Sequence, residues 1–227
     1  MTTKGTAPAV VLFDVDETLI HSGGAGARSW NAAFETIYGK PADIGKHTSA
    51  GETDPQVARE TFVGVMGRQP DENELSRIYA QYLLHLADDI GHAPGYRVFP
   101  GAVATLNALV AAGVTLGLVS GAMEGAARTK LVPADLNRFF IFGAYGSDSP
   151  DRAELTGIAI EKAARLHAGL TAGQVFVVGD TPRDIDAARQ EGAVSVGVAS
   201  GHFSVDELTK AGADHVLGSL TEPFPGL

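Results

Sequence analysis

The sequence predicts an α/β fold: a Rossmann-like, mostly parallel sheet with helices on both faces. Three observations carry this reading. Short runs rich in β-branched and aromatic residues recur along the chain, segments of helical period separate them, and several of those segments close on glycine. The runs are AVVLF at 9–13, VTLGLV at 114–119, QVFVV at 174–178 and VSVGV at 194–198. Each is bounded by polar residues or glycine and reads as a buried strand. FFIF at 139–142 is expected to add a fifth strand and HVL at 215–217 an edge strand. Between them, 101–113, 124–131, 153–169 and 181–192 carry helical spacing. Strands alternating with helices make βαβ units, which require parallel pairing.

Residues 23–98 break this alternation. They offer three helical stretches, 26–38, 54–66 and 71–90, with no convincing strand, and read as a helical insert. Trp30, Ala33, Phe34 and Ile37 recur at helical spacing, so Trp30 is expected in a core rather than on a substrate platform. Glycines 23, 24 and 26 and the stretch PGYRVFPG at 94–101 are the expected linkers. The expected division is therefore a core of 1–22 and 99–227 and a helical insert of 23–98. No internal repeat or low-complexity tract is visible.

Composition narrows the function. Hydrophobic residues make up 44% and charged residues 19% of 227, ordinary values for a self-folding globular chain. Seventeen basic against twenty-seven acidic residues give a net charge of −10, which argues against broad contact with nucleic acid or an anionic membrane. There is no cysteine, so disulfides, thiolate metal sites and cysteine nucleophiles are excluded, and any metal must sit on oxygen or imidazole. The N-terminal apolar run, about five residues, is too short for a signal peptide, and no segment reaches about 18 uninterrupted apolar residues. A cytoplasmic protein, monomeric or homodimeric, is the expectation.

Ligands of open parallel sheets bind beyond the C-terminal strand ends. There the sequence places Asp14-Val15-Asp16-Glu17-Thr18, Ser120-Gly121 and Gly179-Asp180-Thr181-Pro182-Arg183-Asp184. Residues two apart on an extended chain point the same way, so the Asp14 and Asp16 carboxylates should converge. Adding Asp180 makes the repulsion worse unless a cation resolves it. Magnesium, which prefers oxygen ligands, fits, and phosphate is the natural anion to complete the site. Ser120 and the Gly121 N–H can donate to phosphate oxygens, and glycine lets the backbone approach closely. Taken singly, Ser-Gly or Gly-Asp after a strand is an ordinary helix cap. Paired carboxylates at a core edge have no such structural use.

Together these residues resemble the haloacid dehalogenase superfamily, in its phosphatase branch of phosphoglycolate phosphatases and β-phosphoglucomutases. The first motif is similar to VVLFDVDETL at 10–19, the second to LVSGA at 118–122 and the fourth to VVGDTPRDI at 177–185. The resemblance covers nearly the whole chain, with 23–98 similar to the branch's helical cap. It implies a phosphoric monoester hydrolase acting on a small phosphorylated metabolite. By it, Asp14 is the nucleophile that forms an aspartyl-phosphate, and Asp16 is the acid and base. Thr18, Ser120 and Gly121 would bind phosphate. Mg²⁺ would be held by Asp14, the Asp16 main-chain carbonyl and Asp180, with Asp184 in support.

The third motif departs from the family pattern. Where a lysine is usual, the chain reads SDSPDRAEL, making Arg152 the expected catalytic and phosphate-binding cation. Lys130 and Lys162 compete but read as residues of solvated helix faces. His47, Thr48, Ser49, Glu52 and Thr53 fall where the branch carries a substrate-specificity loop, though a solvated loop accounts for most of them; His21 reads as hinge or substrate contact. The alternatives are a β-phosphoglucomutase-like isomerase, a 2-haloacid dehalogenase, which needs neither a metal nor Asp16, and a non-catalytic binding protein.

Overall fold

The computed structural model describes residues 7–49 and 51–227. Residues 1–6, part of the N-terminal stretch considered above as a signal peptide, lie outside the described residues.

Six parallel strands form one sheet: β1 (Val10–Phe13), β4 (Thr115–Ser120), β5 (Phe142–Tyr145), β6 (Val175–Gly179), β7 (Val194–Val198) and β8 (His215–Leu217), in the order β5-β4-β1-β6-β7-β8. All four β1 side chains are fully buried, as a central parallel strand requires. Val11 and Phe13 pack into the core shared with α4 (Ala102–Ala111) and α5 (Glu124–Leu131). Val10 and Leu12 face the other way, onto α6 (Arg152–Leu166) and α7 (Pro182–Gln190). The chain leaves β1 to build β4 and β5 on one side and later returns to build β6 to β8 on the other. This reversal opens a crevice at the C-terminal end of β1, beside those of β4 and β6.

Residues 139–142 correct the expectation of a strand. Phe139 closes a short turn of 3₁₀ helix, Phe140 packs edge-on to Phe13, and β5 begins only at Phe142. Residues 215–217 form the edge strand as expected. Two elements were not foreseen. One is α8 (Val205–Lys210); the other is a two-residue pairing of β2 (Ile20–His21) with β3 (Arg97–Val98), antiparallel.

That pairing brings together the two points where the chain enters and leaves a run of three helices: α1 (Ala25–Tyr38), α2 (Asp54–Met66) and α3 (Glu72–Asp89). Gly23 and Gly24 turn the entry with φ of 62° and 76°, while Gly26 already belongs to α1. Trp30 on α1 stacks on Tyr82 of α3 at 4.0 Å between ring centroids, and both rings are buried.

Candidate active site

Asp14 is the first residue past β1, and its N–H donates to Val178 O (2.9 Å), so it sits level with the neighbouring end of β6. Asp180 follows β6, and Asp184 lies in the first turn of α7. Carboxylate oxygens of Asp14, Asp180 and Asp184 lie within 4.8 Å of one another, and all three residues are buried. Burial, opposed by Arg152 but reinforced by Asp184 and Asp16, pushes the Asp14 carboxyl up to about 7. Burial, Asp184 and Asp14 push Asp180 up to about 8.

Arg152, the first residue of α6, enters this cluster. Its Nη2 lies 3.0 Å from Asp14 Oδ1, and its Nε donates to Asp184 Oδ1 at 3.0 Å. Asp184 is fixed from behind, with Oδ2 accepting from the Thr181 N–H (3.0 Å) and hydroxyl (2.7 Å). With all three carboxylates ionised, one guanidinium leaves an excess of two negative charges, which a divalent cation would balance. The donors are all hard oxygens, the kind magnesium takes. No described donor reaches the Asp16 main-chain carbonyl.

Asp16 departs from the expected convergence. Its carboxylate is not part of the cluster and lies 2.6 Å from Lys130 Nζ. The reason is local. Extended geometry ends at Phe13, Glu17 adopts a φ of 58°, and Asp16 forms an isolated bridge with Ile20 in a tight turn, so the two-residue alternation fails. Lys130 corrects a second expectation: it is buried, only 6% exposed, rather than on a solvated face. Burial pushes its ammonium down, but Asp16, Tyr82 and Asp54 outweigh that and hold it above the usual lysine range. Asp54, at the start of α2, is itself pushed up to about 6 by burial, with Lys130 opposing.

A cavity of about 340 Å³ joins these groups. Asp14, Asp16, Asp180, Ser120, Gly121 and Arg152 line it. Trp30, Tyr82, Glu52, Asp54, His21 and Lys130 line it too, so Trp30 is both core and cavity wall. Thr18 is a correction: its side chain is fully buried, donates to Asp180 Oδ1 at 3.4 Å and is not among the lining residues, so it supports Asp180 instead of meeting a phosphate. Ser120 Oγ accepts from Ala122 N (3.3 Å). At Gly121 a Cβ would stand 2.9 Å from Glu52 O, so only glycine fits where the loop preceding α2 crosses the loop after β4. That crossing is also hydrogen-bonded, with Asp54 N donating to Gly121 O (2.8 Å) and Met123 N donating to Asp54 Oδ2 (2.8 Å).

The other named residues divide. His21 pairs with Glu17 at the cavity edge. Glu52 faces the cavity, and Thr53 caps α2 while its hydroxyl donates to Pro150 O (3.3 Å). His47 packs at Gly64 and lines a separate cavity, Thr48 bonds Ile44 O, and Ser49 is exposed. Lys162 donates to Gly143 O (2.7 Å), outside the site. Sequence reasoning names Lys130 as a competing cation and assigns it to a solvated face, although Ala126, Ala127, Lys130 and Leu131 mark one buried helix face.

The family model of haloacid dehalogenase-like hydrolases matches residues 8–192. This chain belongs to that family. As a haloacid dehalogenase-like hydrolase, it is 32% identical over 215 residues to a phosphoglycolate phosphatase of Rhodospirillum rubrum, covering 91% of this chain and 85% of the relative. It is 26% identical over 239 residues to a phosphoglycolate phosphatase of Salmonella paratyphi A, covering 96% and 91%. Its fold matches the crystal structure of a predicted phosphoglycolate phosphatase from Haemophilus somnus with a TM-score of 0.73 and 20% identity, over 97% of this chain and 96% of that one. These relatives place it in the family's phosphatase branch. Among the described residues, no helix is long and apolar enough to cross a membrane.

Proposed function

We propose that this hydrolase is a magnesium-dependent phosphatase of small phosphorylated metabolites, phosphoglycolate phosphatase-like in its chemistry, working in the cytoplasm through an aspartyl-phosphate. The observation that carries the reading is the position of Asp14: a buried carboxylate at the sheet's switch point, beside Arg152 and two further carboxylates, opening on a cavity. Residues 23–98 serve as a cap domain over a core of 1–22 and 99–227.

Asp14 attacks phosphorus, and the alcohol leaves. Asp16 gives a proton to the leaving oxygen and then takes one from the water that cleaves the aspartyl-phosphate, one group acting in both directions. Arg152 and the Ser120-Gly121 loop meet the transferring oxygens, where charge spreads in the transition state. Asp14, the Asp16 carbonyl and Asp180 would hold Mg²⁺, with Asp184 bound to Arg152 behind them; the ion supplies charge neutralisation at the phosphoryl group. Splitting the reaction suits phosphate monoesters, whose enzymatic acceleration reaches roughly 21 orders of magnitude.

The test is Asp14→Asn with p-nitrophenyl phosphate as substrate. Hydrolysis disappears while circular dichroism stays that of a folded protein; undiminished hydrolysis would remove Asp14 from the chemistry. Chelation with EDTA stops turnover of the unaltered enzyme, and magnesium restores it.

A further inference from the structure

Helix α5 begins without a cap of its own. Met123 holds the N-cap position but its side chain makes no capping hydrogen bond, and Ala126, three residues on, has nothing to reach back with. The Met123 N–H is met from the insert instead, donating to Asp54 Oδ2 at 2.8 Å. Asp54 opens α2, so its own N–H has no partner within that helix; it donates to Gly121 O at 2.8 Å. Asp54 is buried in this contact.

One residue of the insert therefore holds two successive peptide units of the loop after β4, 121–122 by the carbonyl and 122–123 by the N–H. Gly146 holds the loop from the core side: its N–H donates to Ala122 O (2.9 Å), and a Cβ there would overlap Gly121 O. Ser120 and Gly121 stand at the head of the same loop and line the cavity. The Ser120 hydroxyl oxygen accepts from Ala122 N, so the course of the loop also sets where that hydroxyl points.

We propose that Asp54 is a positioning residue for phosphate: by clamping 121–123 it fixes the loop that presents the Ser120 hydroxyl and the Gly121 N–H. The inference rests on the phosphatase reading above. Donors bind an anion well when they are already aimed, and a buried Met123 N–H that lost its acceptor would pull the loop toward another. The coupling is reciprocal, so bound phosphate tightens the hold of the insert on the loop. Asp54 also lies within electrostatic reach of Lys130, which makes it necessary to separate its charge from its hydrogen bond.

The probe is inorganic phosphate, titrated into the magnesium-loaded protein, with hydrolysis of p-nitrophenyl phosphate followed separately. Asp54→Ala should raise the dissociation constant of phosphate about tenfold or more. Asp54→Asn keeps an oxygen for the Met123 N–H and drops the charge, so its constant should stay within about threefold of that of the unaltered enzyme. Phosphate should slow hydrogen exchange over residues 51–57 in the unaltered enzyme and not in Asp54→Ala. Where Asp54→Ala does not fold, Asp54→Leu, of similar size and without an acceptor, is measured in its place. Equal weakening in Asp54→Asn and Asp54→Ala overturns the inference, because the charge beside Lys130 would then be the cause. If the unaltered enzyme hydrolyses the ester but phosphate binding is undetectable, or is unchanged in the alanine or leucine variant, the inference is overturned and the phosphatase reading stands. If the unaltered enzyme neither hydrolyses the ester nor binds phosphate, both fall.

Discussion

Lys130 Nζ lies 2.6 Å from Asp16 Oδ2, joining a buried lysine of α5 to the residue assigned the proton transfers. The contact fixes where the Asp16 carboxylate points. Because the lysine belongs to the helix after β4 and the aspartate to the turn after β1, two elements of the core set the acid's position relative to Asp14.

Replacing Lys130 by methionine keeps most of the side chain's volume and removes the ammonium. Lys130→Met should lower kcat/KM for an alkyl phosphate by about 10- to 100-fold, a part of the roughly 100- to 10,000-fold that general acid catalysis contributes, because Asp16 stays but loses its fixed position. The loss on p-nitrophenyl phosphate should be much smaller, since its leaving group needs no proton. Equal losses on both substrates would show that Lys130 does not act through Asp16.

Arg152 is the second determinant. Arg152→Ala should reduce kcat by about 100-fold or more, the size seen when one stabilising donor is lost. Arg152→Lys should recover part of it, because a point charge returns but the guanidinium's fork onto Asp14 and Asp184 does not. Steady-state kcat for the two variants, measured at saturating magnesium, decides between them.

How much of this was legible in the sequence depended on how local the signal was. β7 and the helices at 54–66 and 124–131 fall where periodicity puts them, and Asp14, Asp180 and Asp184 were readable because each lies just past a strand end, whereas Arg152 was reached only through the family resemblance. Phe139 and Phe140 read as strand because buried aromatics look alike in a turn and in a sheet, whereas β5 itself runs through Gly143 and Ala144. The β2–β3 pairing is two residues long, too short for any period. α8 did announce itself, in the capping pair Ser204 and Glu207. Lys130 meets Asp16, and Glu52 meets Arg183, across long stretches of sequence, and no local pattern specifies such contacts.

The acidic cluster also sets a stability profile. The Asp14, Asp180 and Asp54 carboxyls are raised to about 7, about 8 and about 6 from the ordinary aspartate value of 3.8. Between these limits the folded chain holds protons that the unfolded chain has released, so stability falls as pH rises. In EDTA the thermal midpoint should drop from about pH 4 to about pH 8, and Asp14→Asn should flatten that slope. Magnesium, which needs deprotonated ligands, should raise the midpoint by several degrees at pH 8 and by much less at pH 5. Differential scanning calorimetry at the two pH values checks both signs.

The central claim, that Asp14 carries the phosphoryl group, is open to direct chemical capture. The enzyme is quenched during turnover of p-nitrophenyl phosphate and treated with borohydride, which reduces an acyl phosphate to an alcohol, and the peptides are mapped by mass. The account predicts reduction at residue 14, dependent on substrate and magnesium. Turnover that proceeds with residue 14 unmodified, or with the reduced carboxylate elsewhere in the cluster, would contradict it.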